Sequence, residues 1–133
     1  MEYLAFGEQH LDAVLRLTEQ EGWPSFSADP QRALSVMTAP GVVSIVAVED
    51  GEVVGFARVL SDGTITSYLA ELVVAPACRG RGVGRGLIED AFRRCGTIRI
   101  DLLVDGEAGS FYQSLPHRPL QGYRIYPASR GRS

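Results

Sequence analysis

The sequence contains no lysine, and all 13 of its lysine-or-arginine positions are arginine. This absence excludes a Walker-type phosphate loop and a lysine Schiff base, because both need a lysine side chain. Cysteine is also scarce. Cys78 and Cys95 have no metal-ligand spacing and form no disulfide framework, so we predict two reduced thiols and no metal site. No apolar run approaches the roughly 20 residues that span a bilayer, so we expect no membrane partner.

Length and charge limit the remaining classes of protein. A chain of 133 residues can bury one sizeable core, and we predict a single domain over residues 1–133. The formal net charge of −3 argues against nucleic acid as a partner. The first ten residues, MEYLAFGEQH, lack the basic and then apolar pattern of a secretory signal. We therefore predict a globular protein located in the cytoplasm.

Hydrophobic periodicity and turn residues predict a mixed α/β (α+β) fold. Apolar residues at helical spacing predict helices over 9–21, 30–38, 82–95 and 108–115. Two Asp-Gly pairs between β-branched runs predict an antiparallel meander of three strands. The predicted strands cover residues 3–6, 42–49, 52–60, 64–75, 97–104 and 121–127, with a loop over 22–30 and a frayed tail over 129–133. The fourth and fifth strands flank a helix and should run parallel, in a mostly antiparallel sheet of about six strands with helices on both faces.

The stretch VVAPACRGRGVGRGLIED, residues 73–90, places four glycines and three arginines between a strand and an amphipathic helix. The first turn of a helix presents unpaired N–H groups and the positive end of its dipole. Glycines let those N–H groups approach an anion and arginines add charge, which predicts a phosphate or pyrophosphate site. A Rossmann fingerprint is excluded because Arg85 stands where its third glycine would be. The alternatives are an RNA-binding arginine-glycine segment, which is usually longer and disordered, and a purely structural tight turn.

The residues around this turn resemble the GNAT superfamily of acetyl-CoA-dependent N-acetyltransferases. The family's phosphate signature, Q/R-x-x-G-x-G/A, opens a helix after a strand of the form L-x-V-x-P. This chain has Leu72-Val73-Val74-Ala75-Pro76 and then Arg79-Gly80-Arg81-Gly82-Val83-Gly84. Phe111-Tyr112 matches the Phe-Tyr helix of the family. The resemblance covers residues 42–115 well and the N-terminal helices loosely, and it implies a GNAT-like fold with a splayed pair of parallel strands.

The resemblance implies acetyl-CoA as acetyl donor and no metal. The pyrophosphate would lie on the N–H groups of residues 79–84, and the pantetheine arm would align beside residues 72–74 like an added strand. A backbone N–H near Val73 or Val74 would then stabilise negative charge on the thioester oxygen. The implied cofactor-binding residues are Leu72, Val73, Val74, Arg79, Gly80, Arg81, Gly82, Val83, Gly84 and Tyr112.

Two proton transfers accompany the implied reaction. Tyr112 occupies the position where the family carries a general acid for the leaving thiolate, although it could also simply pack under the donor's arm. An alkyl amine with a pKa of about 10.4 must first lose a proton. Glu71 or Asp101 is a possible base, and Tyr68 is a further candidate near the cleft. A solvated or sheet-edge position is the alternative for each carboxylate, with water as the proton relay.

The acceptor is the least determined partner. Trp23 and Phe26, in the loop GWPSFS, lie where the family walls the acceptor site and could hold an amine by their ring faces, or could fill the gap between helix and sheet. His117 follows Leu115 and Pro116 in place of the family's Leu-Gly-Phe turn, and could touch the acceptor or lie half-exposed. We expect a small-molecule amine, or else a protein or peptide amine, on a monomer or homodimer. The competing functions are a non-catalytic acyl-CoA-binding or regulatory module and an RNA-binding module.

Overall fold

One five-stranded sheet organises the computed structural model, which describes residues 1–105 and 108–128. The strands are β1 (Glu2–Ala5), β2 (Val42–Glu49), β3 (Glu52–Ser61), β4 (Thr66–Val74) and β5 (Arg99–Asp101). They lie side by side in chain order. Neighbouring strands run antiparallel except for β4 and β5, which run parallel. The predicted fold class, a mostly antiparallel mixed sheet with one parallel pair, is confirmed.

Local signals account for the ends of the helices. The helices are α1 (Leu11–Gln20), α2 (Pro24–Ser27), α3 (Pro30–Met37), α4 (Val83–Cys95) and α5 (Gly109–Gln113). The Asp29 carboxylate caps α3 by accepting the Arg32 N–H at 3.1 Å, and Gly96 ends α4 in the left-handed conformation at φ 66°. Among the described residues, no helix is long and apolar enough to cross a bilayer.

Helices cover both faces of the sheet, as predicted. On one face, Val14 of α1 and Met37 of α3 belong to a buried cluster with Val46, Phe56 and Val73. Successive strand residues point to opposite faces, so Gly55, next to Phe56, faces the other side. There a Cβ on Gly55 would lie 3.4 Å from Leu87 Cδ1 of α4. The sheet is therefore buried between α1–α3 and α4.

The chain forms two compact units, Met1–Leu102 and Leu103–Ser133. The first unit contains the sheet and helices α1 to α4. The second contains α5, and its residues 117–127 form neither helix nor strand. In that stretch the Tyr123 and Ile125 side chains are exposed.

Three predicted elements were wrong in extent. The predicted loop 22–30 contains α2, which begins at Pro24 because proline suits the first position of a helix. Strand β5 spans three residues rather than 97–104, since its pairing with β4 is equally short. Residues 121–127 form no strand, so the described sheet has five strands rather than six. An alternation of apolar and polar residues is not enough, because a segment becomes a strand only when it pairs with a neighbouring strand. The predicted tail 129–133 lies outside the described residues.

Candidate active site

The glycine-arginine turn opens α4 with two glycines in the left-handed region. Gly80 has φ 76° and Gly82, the residue before the helix, has φ 86°. Side chains disfavour this conformation, so the backbone itself requires glycine at both positions. A Cβ built on either residue would meet no atom within 4 Å. The backbone therefore has open space beside Gly80 and Gly82, immediately before the first turn of α4.

Another glycine of the motif serves packing instead. A Cβ on Gly86, one turn into α4, would lie 2.0 Å from the Tyr3 hydroxyl oxygen and 2.3 Å from Tyr3 Cζ. Gly86 therefore makes room for the Tyr3 ring, which comes from β1. Burial, followed by the charges of Glu89 and Asp90, raises the pKa of the Tyr3 phenol. Packing against Tyr3 thus explains Gly86, and the left-handed backbone explains Gly80 and Gly82, while the anion site at this turn stays a prediction.

Two arginines of the turn are held by distant carboxylates. Arg79 Nε donates to the Val74 carbonyl at 3.1 Å, and its guanidinium pairs with Glu21. Arg81 donates to both oxygens of Glu49, at 3.1 Å and 2.5 Å, and this hydrogen bonding lowers the pKa of the Glu49 carboxyl. Glu21 and Glu49 lie 58 and 32 residues before their partners, so no local pattern could have predicted these pairs.

The edge of β4 is the second part of the site. Pairing with β5 covers only Thr66–Arg99, Ser67–Ile100 and Tyr68–Asp101. Residues 69–74 of β4 continue along β3 but have no strand partner on this side within residues 1–102. The pairing of β4 with β5 thus ends at Tyr68, because β5 ends at Asp101, and the predicted splaying of the two strands stays a prediction. After β4, a short 3-10 helix (Pro76–Cys78) connects the chain to the turn at residues 79–82.

A bulge in β4 determines which way Glu71 faces. The β3–β4 register steps from Arg58–Glu71 to Val59–Leu69, so Ala70 is the extra residue. Glu71 consequently lies opposite Arg58, whose Nε is 2.5 Å from one carboxylate oxygen and whose Nη2 is 2.8 Å from the other. Both side chains are more than four-fifths buried. This bidentate hydrogen bonding raises the pKa of the Arg58 guanidinium.

Asp101 lies in a different environment from Glu71. It ends β5, is exposed, and is in register with the half-buried Tyr68 where β4 and β5 part. Tyr68 also lines an open, shallow groove of about 430 Å³ together with Pro40, Leu60 and Asp62. Tyr68 and Asp101 are therefore neighbours at the last pair of residues that joins β4 to β5. Glu71, in contrast, accepts two hydrogen bonds from Arg58.

The Phe-Tyr helix forms as α5 in the second unit. The rings of Phe111 and Tyr112 contact each other edge to face, with centroids 4.9 Å apart. Burial raises the pKa of the Tyr112 phenol, so this hydroxyl stays protonated at neutral pH. His117 is exposed, and its Nδ1 lies 2.7 Å from the Leu115 carbonyl oxygen.

The two loop aromatics have different surroundings. Phe26 stacks on Phe56, with ring centroids 6.5 Å apart, and packs against the buried cluster. Trp23, which immediately precedes α2, is 40% exposed. Phe26 therefore packs against the core and Trp23 is the more exposed of the two, while contact with an acceptor stays a prediction for both.

The comparisons with known proteins identify the family. A profile of the acetyltransferase (GNAT) domain matches residues 40–115, over half of the chain. The chain therefore belongs to the GNAT acetyltransferase family. Mycothiol acetyltransferase of Cellulomonas flavigena is 40% identical over 89 residues, which cover 63% of this chain and 25% of that relative. The chain thus spans about a quarter of the length of that curated protein.

Solved structures show the same fold. The aminoglycoside N-acetyltransferase AAC(6')-Iy, in complex with a CoA-containing bisubstrate analogue, aligns with a TM-score of 0.80 at 21% identity, covering 97% of this chain and 98% of that one. An acetyltransferase of Trypanosoma brucei aligns with a TM-score of 0.68 at 23% identity, covering 95% and 98%. At these identities the likeness concerns the fold alone.

Proposed function

We propose that this chain is an N-acetyltransferase that moves the acetyl group of acetyl-CoA to a primary amine, by direct attack within a ternary complex. The observation that carries the proposal is the left-handed turn at Gly80 and Gly82, which opens α4 after β4, whose residues 69–74 have no strand partner opposite β3 within residues 1–102. Membership of the GNAT family supports acetyl transfer. A CoA complex of a protein with the same fold supports CoA as the carrier.

The turn and the strand edge fit two parts of the donor. The N–H groups at the start of α4 would bind the pyrophosphate, because Gly80 and Gly82 have open space beside them and place no side chain against an approaching anion. The backbone of Leu72, Val73 and Val74 would pair with the amides of the pantetheine arm, as an added strand does. An N–H of Val73 or Val74 would stabilise the negative charge that develops on the thioester oxygen.

Of the two predicted carboxylate bases, we favour Asp101. Both oxygens of Glu71 accept hydrogen bonds from Arg58, and its side chain is more than four-fifths buried, so an incoming amine reaches Glu71 less easily than an exposed carboxylate. Asp101 is exposed and lies where the open edge ends, so it can accept the amine's proton directly or through water.

Tyr112 is the proposed general acid. The leaving thiolate needs a proton, and the raised pKa of the half-buried phenol keeps Tyr112 in the form that can donate one. This role follows from the family position of Tyr112 and stays a proposal.

We propose a small-molecule amine as the acceptor. A curated relative is a mycothiol acetyltransferase, and proteins of the same fold are aminoglycoside acetyltransferases, so the names of the similar proteins favour small molecules over protein amines. On this chain, Trp23 offers an exposed ring face that can contact an apolar body or a cation. The groove beside Tyr68 is within the usual size range of about 300–1,000 Å³ for a small-molecule site.

The test is a transfer assay with acetyl-CoA and a panel of small amines, including aminoglycosides and aromatic amines. Release of the free CoA thiol and the mass of the acetylated amine are measured together, so that simple hydrolysis is recognised. The proposal expects both products in equal amounts. The alternative, a non-catalytic acyl-CoA-binding module, expects donor binding without product. A chain that does not bind acetyl-CoA would contradict both.

A further inference from the structure

We propose that Glu49 competes with the phosphates of the donor for Arg81, and so lowers the affinity of the chain for acetyl-CoA. The inference rests on the proposed donor site at residues 79–84. It makes Glu49, at the end of β2, a residue that positions Arg81 and sets donor affinity without touching the reacting atoms.

The position of Arg81 carries the first step. Arg81 lies between the left-handed residues Gly80 and Gly82, so its backbone is part of the turn that would hold the pyrophosphate. Its side chain turns to Glu49 and donates to both carboxylate oxygens, at 3.1 Å and 2.5 Å. A guanidinium has five N–H donors, and each of its bidentate faces fits one carboxylate or one phosphate. Glu49 occupies the face formed by Nη1 and Nη2, so binding a phosphate through this same face requires Arg81 to leave Glu49.

The exposure of the pair makes such an exchange feasible. The side chains of Arg81 and Glu49 are 48% and 29% exposed. Exposed ion pairs are weak, and keeping one corresponds to a factor of about five or less in an equilibrium constant. The Glu49 carboxylate also places negative charge next to the proposed anion site, and this charge repels the donor's phosphates within a Debye length of about 10 Å. Both effects act in the same direction, against donor binding.

Arg79 provides a contrast within the same turn. Its Nε is fixed on the Val74 carbonyl at 3.1 Å, so its place at the end of β4 does not depend on Glu21 alone. The pair of Arg81 with Glu49 spans from the turn to the β2–β3 hairpin and has no such backbone hydrogen bond among the described contacts. We therefore assign the competition with phosphate to Glu49 on Arg81 and not to Glu21 on Arg79.

The experiment is a double-mutant cycle with acetyl-CoA affinity as the readout. Glu49→Gln keeps the size of the side chain and removes its charge, and we expect the dissociation constant to fall two- to fivefold. Arg81→Gln should weaken binding of acetyl-CoA. In the Arg81→Gln background, Glu49→Gln should have little effect on the dissociation constant, because Glu49 acts through its interaction with Arg81. The matched control is Glu52→Gln, an exposed residue opposite Glu49 in the hairpin register, which makes the same change in net charge.

Besides an unchanged dissociation constant in Glu49→Gln, three outcomes would overturn the inference. The first is weaker binding by the Glu49→Gln variant, because the carboxylate would then help Arg81 to hold the donor. The second is an equal gain from Glu52→Gln, and the third is an undiminished gain in the Arg81→Gln background. As a further check, the Michaelis constant for S-acetyl-N-acetylcysteamine, a thioester without phosphates, should be the same in Glu49→Gln and wild type. If the wild-type chain does not bind acetyl-CoA, the proposed function itself fails; if it binds and Glu49→Gln changes nothing, only this inference fails.

Discussion

The turn before α4 can be tested by adding a single methyl group at Gly82. The Gly82→Ala variant must keep φ near 86°, which costs an L-residue about 1–2 kcal/mol, and its Cβ would enter the open space where the donor's phosphates are proposed to lie. Gly63 is the matched control, because it has φ 79°, no atom within 4 Å of a built Cβ, and a position in the β3–β4 hairpin. Both variants should therefore lose similar stability in the absence of donor, about 3–6 °C in Tm.

The two variants should differ once the donor is added. At a hundred times the wild-type dissociation constant, acetyl-CoA stabilises the folded chain by about 2.7 kcal/mol. If the methyl group weakens binding tenfold, about 1.4 kcal/mol remains at the same donor concentration, roughly half of the wild-type gain in Tm. Gly63→Ala should keep the full gain. Differential scanning fluorimetry with and without acetyl-CoA measures all four values, and equal gains for the two variants would refute a phosphate site at this turn.

The other predictions concern the acid, the base and the acceptor. Tyr112→Phe should leave donor affinity nearly unchanged and lower kcat about 100-fold. Because burial raises the pKa of the Tyr112 phenol, any alkaline fall in kcat that is due to Tyr112 should lie at higher pH than the titration of an exposed tyrosine, and it should disappear in the variant. Asp101→Asn should lower kcat/KM about 10- to 100-fold at pH 7, and the loss should become smaller as the pH approaches the pKa of the amine. Glu71→Gln should mainly lower Tm, because it leaves Arg58 without its countercharge. The reverse result would assign the base to Glu71. Trp23→Ala should raise KM for the amine at least several-fold more than KM for acetyl-CoA, and equal changes in both would remove Trp23 from the acceptor site.

Much of the fold follows from short-range signals. The Asp-Gly turns, Pro30 after its capping aspartate, and the apolar stripe of α4 each act over a few residues, so their elements appear where predicted. The turn proposed to bind an anion is equally local, because two left-handed residues and a helix start are encoded within residues 79–84. Strand lengths were predicted less well, as β5 and residues 121–127 show, since a strand exists only where another strand pairs with it.

The chemistry of individual side chains depended on contacts between distant parts of the chain. The sequence by itself determined the phosphate signature, the order of the elements and the Phe-Tyr helix, because each is a pattern of neighbouring residues. The tertiary structure alone decided that Glu71 faces Arg58, since one extra residue at Ala70 shifts the register and reverses which face each following side chain occupies. It also decided that Arg81 meets Glu49, because an ion pair forms between whatever charges the packed strands and helices bring together.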